Sequence, residues 1–116
     1  ESELLRSLVG SEMCIRDSWM AAPSAGAVLA DLGAEVIKIE PLTGDPMRGM
    51  SRPIKGENFS DGVKNYDFQF DVDNRGKNSI AIAIDTKEGV NIVRKLVSNA
   101  HIFMCNLLVA RQEKYG

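Results

Sequence analysis

The chain is short of several things, and each shortage removes a class of function. It has two cysteines and one histidine in 116 residues. Cys14 and Cys105 make no disulfide framework, so a reducing cytoplasm is the expected compartment. One histidine and two separated cysteines also leave no zinc constellation. No apolar run reaches the ~18 residues a membrane helix needs, so no membrane partner is expected. A surplus of positive charge is missing too: the net charge is -2. Without an overall basic field, nucleic acid is not an expected partner, although local Lys and Arg positions remain available to a phosphorylated ligand. No Gly-x-Gly-x-x-Gly opens a helix, which removes the standard dinucleotide fingerprint. Gly44 and Gly49 have the spacing of a P-loop's two glycines. Met50-Ser51 stands where Lys-Ser/Thr is needed, so the contact to the β- and γ-phosphates is lacking.

What is present reads as a globular chain of at most one domain, with 44% apolar and 26% charged residues. Residues 1–18 differ in texture from the rest. They lack the basic start and long apolar centre of a signal peptide. Gly10, Ser11 and Asp17-Ser18 break any periodicity. The run Ser7-Leu8-Val9-Gly10-Ser11-Glu12-Met13-Cys14-Ile15-Arg16-Asp17-Ser18 resembles a translated sequencing adaptor. On that reading residues 1–18 are non-native and stand outside the fold, and the domain proper is 19–116. The alternative is a short helix with a loose end.

From Trp19 the pattern becomes regular. Pro23 sits near a helix start. Ala25, Val28, Leu29 and Leu32 share one helical face, and Gly33 suits a C-cap. Val36, Ile37 and Ile39 make a strand that ends at Pro41. Residues 41–78 are rich in turn residues, and a connection that long is usually functional or partly structured. Within it Tyr66, Phe68 and Phe70 alternate at period two, the pattern of a short strand. Ile80, Ile82 and Ile84 alternate with Ala81 and Ala83, which predicts a strand buried on both faces. Asp85 is the expected N-cap of the next helix, with Glu88 three residues on. Val90, Val93, Leu96 and Val97 form that helix's buried stripe. His101-Ile102-Phe103-Met104-Cys105 reads as a further strand and 109–115 as a short helix. The order predicts an α/β fold, a Rossmann-like parallel sheet with flanking helices. An opening strand before Pro23 would complete the first unit, and the sequence shows none.

Candidate chemistry is sparse. Asn74-Arg75-Gly76-Lys77 precedes a strand; two cations, an amide and a glycine there suit a phosphate, and equally suit a solvated turn. Asn106 follows a strand, at the sheet edge where ligands gather, and is also a good N-cap. His101 reads as a partly buried structural residue and Cys105 as core. Asp31, Asp45 and Asp85 have structural roles on a helix surface, in a turn and at a cap. No carboxylate pair stands out for acid/base work.

Several blocks in register resemble one family. They are Pro23, Leu29-Ala30-Asp31-Leu32-Gly33-Ala34-Glu35-Val36-Ile37-Lys38-Ile39-Glu40, Gly44-Asp45-Pro46-Met47-Arg48, Asn74-Arg75-Gly76-Lys77-Asn78-Ser79-Ile80 and Lys87-Glu88-Gly89. They look like signatures of the class III coenzyme A-transferases, a family that includes α-methylacyl-CoA racemases. The resemblance runs from about Met20 to Gly116 and implies the N-terminal part of a larger, interlocked homodimer. It implies that coenzyme A or acyl-CoA is a substrate rather than a permanent cofactor, with a carboxylic acid as second substrate. It implies coenzyme contacts at Met20, Ala21, Asn74, Arg75, Gly76, Lys77, Asn106, Leu107, Leu108 and Lys114. The family's usual Asn-Phe-Arg-Pro-Gly is Asn106-Leu107-Leu108-Val109-Ala110 here, and a basic residue used by some members after Glu40 is Pro41. The nucleophilic aspartate, and the His–Asp pair of the racemases, would lie beyond Gly116, so this chain supplies no catalytic residue. The alternatives to a transferase are a racemase on the same scaffold or a non-catalytic coenzyme-binding module.

Overall fold

The computed structural model describes residues 8–16, 20–48, 50 and 67–107. Along the chain come β1 (Glu12–Arg16), α1 (Ala21–Asp31), β2 (Glu35–Glu40), α2 (Phe68–Asn74), β3 (Asn78–Ala81), α3 (Lys87–Asn99) and β4 (Ile102–Cys105). The strands form one sheet in the order β3-β2-β1-β4, and every pairing is parallel. The chain therefore steps outward from β1 through β2 to β3, then returns across the sheet to lay β4 on the far side of β1. Right-handed crossovers in opposite directions put their helices on opposite faces. The packing agrees. Met13, Ile15 and Val36 meet Leu29 and Ala30 of α1, while Cys14 and Ile39 meet Val93, Leu96 and Val97 of α3. The expected Rossmann-like layer is thus present.

One expectation is overturned at the centre of the sheet. A strand does precede Pro23: residues 12–16, inside the segment expected to stand apart, form one of the two inner strands. Met13, Cys14 and Ile15 are buried, Ile15 completely. A central strand covered on both faces carries a short continuous apolar run, not an alternation, so the period-two test misses it.

Helix α1 ends as the sequence predicts. Gly33 takes φ +94, its N–H reaches the Ala30 carbonyl, and the Ala34 N–H reaches the Leu29 carbonyl. These two bonds are those of a Schellman stop. The strand expected around Phe68 and Phe70 is instead helix α2. The Asp67 side chain accepts from the Phe70 N–H at 3.1 Å and starts the helix. That cap and the packing of Phe70 under the Arg48 guanidinium, 4.1 Å from the ring centre, override the alternation. Tyr66 and the helix expected over 109–115 lie outside the described residues.

Strand β3 is shorter than expected and is not buried on both faces. Its side chains are exposed, and only Ile82 and Ile84, just past its end, enter the core. It is an edge strand among the described residues, so one flank has no neighbouring strand to cover it. The cap of α3 also shifts by one residue. Thr86, not Asp85, accepts from the Gly89 N–H at 3.0 Å and donates to the Ala83 carbonyl at 2.7 Å. Position 89 admits only glycine, because a Cβ there would stand 1.9 Å from the Ala83 oxygen. Lys87-Glu88-Gly89 is thereby explained by close contact between the first turn of α3 and the chain leaving β3.

Candidate functional site at the carboxyl edge of the sheet

In an open parallel sheet, ligands collect beyond the carboxyl ends of the strands, where the winding direction reverses. Here that point lies between β1 and β4. Arg16 and Cys105 are register partners at the two strand ends. The chain leaving β1 resumes at Met20, which is exposed and precedes α1, and Ala21 is the first residue of that helix. The chain leaving β4 continues through exposed Asn106 to half-buried Leu107, whose N–H points at the Cys105 sulfur at 3.5 Å. Four of the expected contact residues therefore follow two adjacent strand ends. Leu108 and Lys114 lie outside the described residues.

The other four expected contacts are placed differently. Residues 74–77 form the turn between α2 and β3, packed along α1. Asn74 Nδ2 donates to the Phe70 carbonyl at 2.9 Å, which closes the last turn of α2. Arg75 pairs with Asp31, Nε to Oδ2 at 3.1 Å, and also donates to the Val72 carbonyl. Asp31 ends α1, ten residues and about 15 Å along the helix from Ala21. Gly76 takes φ +71 beside Ala30. Lys77 reaches the opposite, first turn of α1, where its Nζ lies 2.7 Å from the Pro23 carbonyl oxygen. The turn does not converge on the β1–β4 junction as a unit; only Lys77 approaches that end of α1.

Two ionic contacts fix the loop that leaves β2, one buried on both sides and one between buried Glu40 and exposed Arg48. Val36, Lys38 and Glu40 share one face of β2 by the two-residue period, and the two charges on it are buried. Lys38 Nζ stands 2.7 Å from Oδ2 of Asp45, with both side chains almost wholly buried. The contact is Coulombic rather than a well-angled hydrogen bond to that oxygen. Glu40 accepts from Arg48 twice, at 2.8 and 2.7 Å, from Ser79 Oγ at 2.8 Å and from the Asp45 N–H at 3.0 Å. Burial pushes the Glu40 carboxyl toward its neutral form. The bonds from Arg48, Ser79 and Asp45 outweigh that and hold its pKa down to about 2. The same pairing raises the Arg48 pKa. Gly44-Asp45-Pro46-Met47-Arg48 is thus a folded polar knot. The sequence placed Asp45 in a turn, and its Oδ1 does accept from the Met47 N–H at 2.8 Å. Its burial against Lys38 is what the sequence reading missed.

On the α3 side of the β1–β4 junction lies a cavity of about 530 Å³. Arg16, Arg94, Ser98 and Cys105 contribute polar groups to a lining that is otherwise apolar, including Val97 and Phe103. Leu107, one of the expected coenzyme contacts, also lines it; the other lining residues were not singled out by sequence as site residues, and among them a signal existed only for Cys105, at its strand end. His101 is exposed rather than partly buried, and its role is structural. Nδ1 accepts from the Glu12 N–H at 3.0 Å while the His101 backbone N–H donates to the Glu12 carbonyl at 2.9 Å. Among the described residues no cluster of three or more His, Cys, Asp or Glu side chains is placed to hold a metal, and no helix is long and apolar enough to cross a membrane.

The family profile described as "CoA-transferase family III" matches residues 13–116, which takes in all of the sheet but the first residue of β1. The chain belongs to CoA-transferase family III. Among curated relatives of family III, the (R)-2-hydroxy-4-methylpentanoate CoA-transferase of Clostridioides difficile is 39% identical over 109 residues, 94% of this chain and 26% of that protein. The succinate–glutarate CoA-transferase of Agrobacterium fabrum is 39% identical over 102 residues, 84% of this chain and 24% of that protein. The crystal structure of a CaiB/BaiF family protein from Brucella suis superposes with a TM-score of 0.76 at 35% identity, over 93% of this chain and 28% of that one. The chain spans about a quarter of the length of the curated relatives it matches.

Proposed function

We propose that this chain is the N-terminal, coenzyme A-binding layer of an enzyme that moves coenzyme A from an acyl-CoA donor to a carboxylic acid. The observation that carries the reading is the β1–β4 junction, with Met20 and Ala21 after one strand end and Asn106 and Leu107 after its neighbour, in a chain of family III. The names of the relatives, all CoA-transferases acting on carboxylic acids, support the reaction class. Leu108 and Lys114 complete the proposed contacts. Coenzyme A enters as substrate, with no resident cofactor. The working enzyme is a cytoplasmic, interlocked homodimer.

The reaction proceeds through an aspartate beyond residue 116. Its carboxylate attacks the thioester carbonyl and expels the CoA thiolate, leaving a mixed anhydride. The thiolate then attacks the aspartyl carbonyl, releases the donor acid as carboxylate and forms an aspartyl-CoA thioester. The acceptor carboxylate repeats the two steps in reverse order, which leaves a new acyl-CoA and the free aspartate. Covalent catalysis of this kind divides one difficult exchange into easier ones. The chain's own part is to hold and orient the coenzyme.

The test is to incubate the complete protein with succinyl-CoA and a panel of carboxylates and to separate the acyl-CoA products. A new acyl-CoA is expected from the complete protein and none from residues 1–116 alone, which should also bind coenzyme A weakly or not at all. Turnover by residues 1–116 alone would overturn the division of labour. Exchange of the α-proton of a branched acyl-CoA without acid exchange would replace the transferase by the racemase reading.

A further inference from the structure

The Lys77 ammonium is surrounded by protein acceptors. Nζ lies 2.7 Å from the Pro23 oxygen, 2.9 Å from the Asp73 oxygen and 3.2 Å from Asn74 Oδ1. An ammonium has three N–H groups, and three acceptors of this chain already meet them. The Asp73 and Asn74 contacts close the last turn of α2, where a cation suits the helix dipole. The Pro23 contact is less expected, since it sets a cation against the first turn of α1. It ties the two helices together at the end of α1 that faces the β1–β4 junction. Gly26 makes room for this reach. A Cβ at that position would stand 3.1 Å from Lys77 Cε, 3.2 Å from Nζ and 2.1 Å from Ile15 Cδ1. Two further bridges run in parallel, Ser24 Oγ to Asp73 Oδ1 at 2.7 Å near the same end and Arg75 to Asp31 at the other.

We propose that Lys77 is a positioning residue: it fixes the first turn of α1, and with it Met20 and Ala21, and does not itself touch the coenzyme's phosphates. This rests on the proposed coenzyme site at the β1–β4 junction. A phosphate contact would require Nζ to leave acceptors it already holds inside the α1–α2 seam. Lysine suits the post because its charge is compact and its stem is thin. Arginine's planar fork is not interchangeable with that compact ammonium.

The experiment uses the complete enzyme and titrates coenzyme A calorimetrically at several salt concentrations, below the unfolding temperature. Wild type is compared with Lys77→Met, Lys77→Arg and Ser24→Ala, and melting temperatures are recorded separately. Lys77→Met should weaken coenzyme binding by about tenfold, within the range a misplaced contact produces. The slope of affinity against salt should stay that of wild type, and Lys77→Arg should not restore binding. A flattened salt slope together with rescue by Arg would mean a direct phosphate contact and would overturn the proposal. Unchanged affinity in a folded Lys77→Met protein would overturn it too. If Lys77→Met does not fold, Ser24→Ala decides: it removes the neighbouring bridge to Asp73 together with the Ser24 Oγ contact to the Met20 carbonyl, and should weaken binding a few-fold at unchanged salt slope. Unchanged affinity there refutes the proposal. Absence of coenzyme binding by wild type would refute the functional reading and this inference together, whereas the other outcomes bear on Lys77 alone.

Discussion

Glu40 offers a quantitative test of the loop after β2. Its carboxyl is held at about 2 against an ordinary 4.5. At 1.36 kcal/mol per unit this shift corresponds to roughly 3 kcal/mol of stability at neutral pH. The Arg48 side chain is 48% exposed, against 4% for Glu40, so solvent screens part of the attraction and about 2 kcal/mol is the better expectation. The sign follows from the depressed pKa. The native state binds fewer protons than the unfolded state between the two values. The stabilisation is complete above about pH 5 and is lost as pH falls through 4.5 toward 2, with roughly 40% remaining at pH 3. Glu40→Gln should therefore lower stability by about 2 kcal/mol at pH 7, and the gap to wild type should close steadily below pH 4.5. Urea unfolding at pH 7, 5, 4 and 3, followed by circular dichroism, measures both. A gap of the same size at pH 7 and pH 3 would show that shape rather than ionisation makes Glu40 matter.

Three further substitutions probe the elements that sequence misread or left unexplained. Ile15→Ala should cost about 2–5 kcal/mol in urea unfolding, the range for a large buried aliphatic side chain, because Ile15 is completely buried in an inner strand. A neutral result would mean that β1 is not part of the folded core. Gly89→Ala should cost about 3 kcal/mol or more, since its Cβ meets a backbone oxygen rather than a movable side chain; a melting temperature equal to wild type would contradict that contact. Thr86→Ala should cost about 1 kcal/mol through loss of the α3 cap while Asp85→Ala leaves the melting temperature unchanged, and the reverse order would restore Asp85 as the cap.

The family blocks were legible because each marks a local backbone demand. Gly33 stops α1 by taking a positive φ, and Gly89 lets α3 start against a carbonyl. Helices α1 and α3 were visible for the same kind of reason: their apolar residues repeat at a period that only one face explains. What the residues at 74–77 do was not legible. An Asn-Arg-Gly-Lys turn has the right chemistry for phosphate, but chemistry does not say what else lies within reach. Asp31 and Pro23 are far from the turn in sequence, and only folding brings Asp31 to Arg75 and Pro23 to Lys77. The same holds for Lys38 and Glu40, whose charges look like solvent groups until the fold supplies Asp45 and Arg48.

The amino-acid sequence alone determined the layered α/β class, α1 with its glycine stop, β2, the α3–β4 unit and the family resemblance. All of these are set by short-range periodicity and by backbone demands a residue carries with it. The tertiary structure alone decided that residues 12–16 are an inner strand, that 68–74 is a helix and that β3 is an edge among the described residues. It also set three protein acceptors around the Lys77 ammonium. Those outcomes depend on which neighbour covers which face, and burial by distant partners leaves no period in a five-residue strand or a four-residue turn.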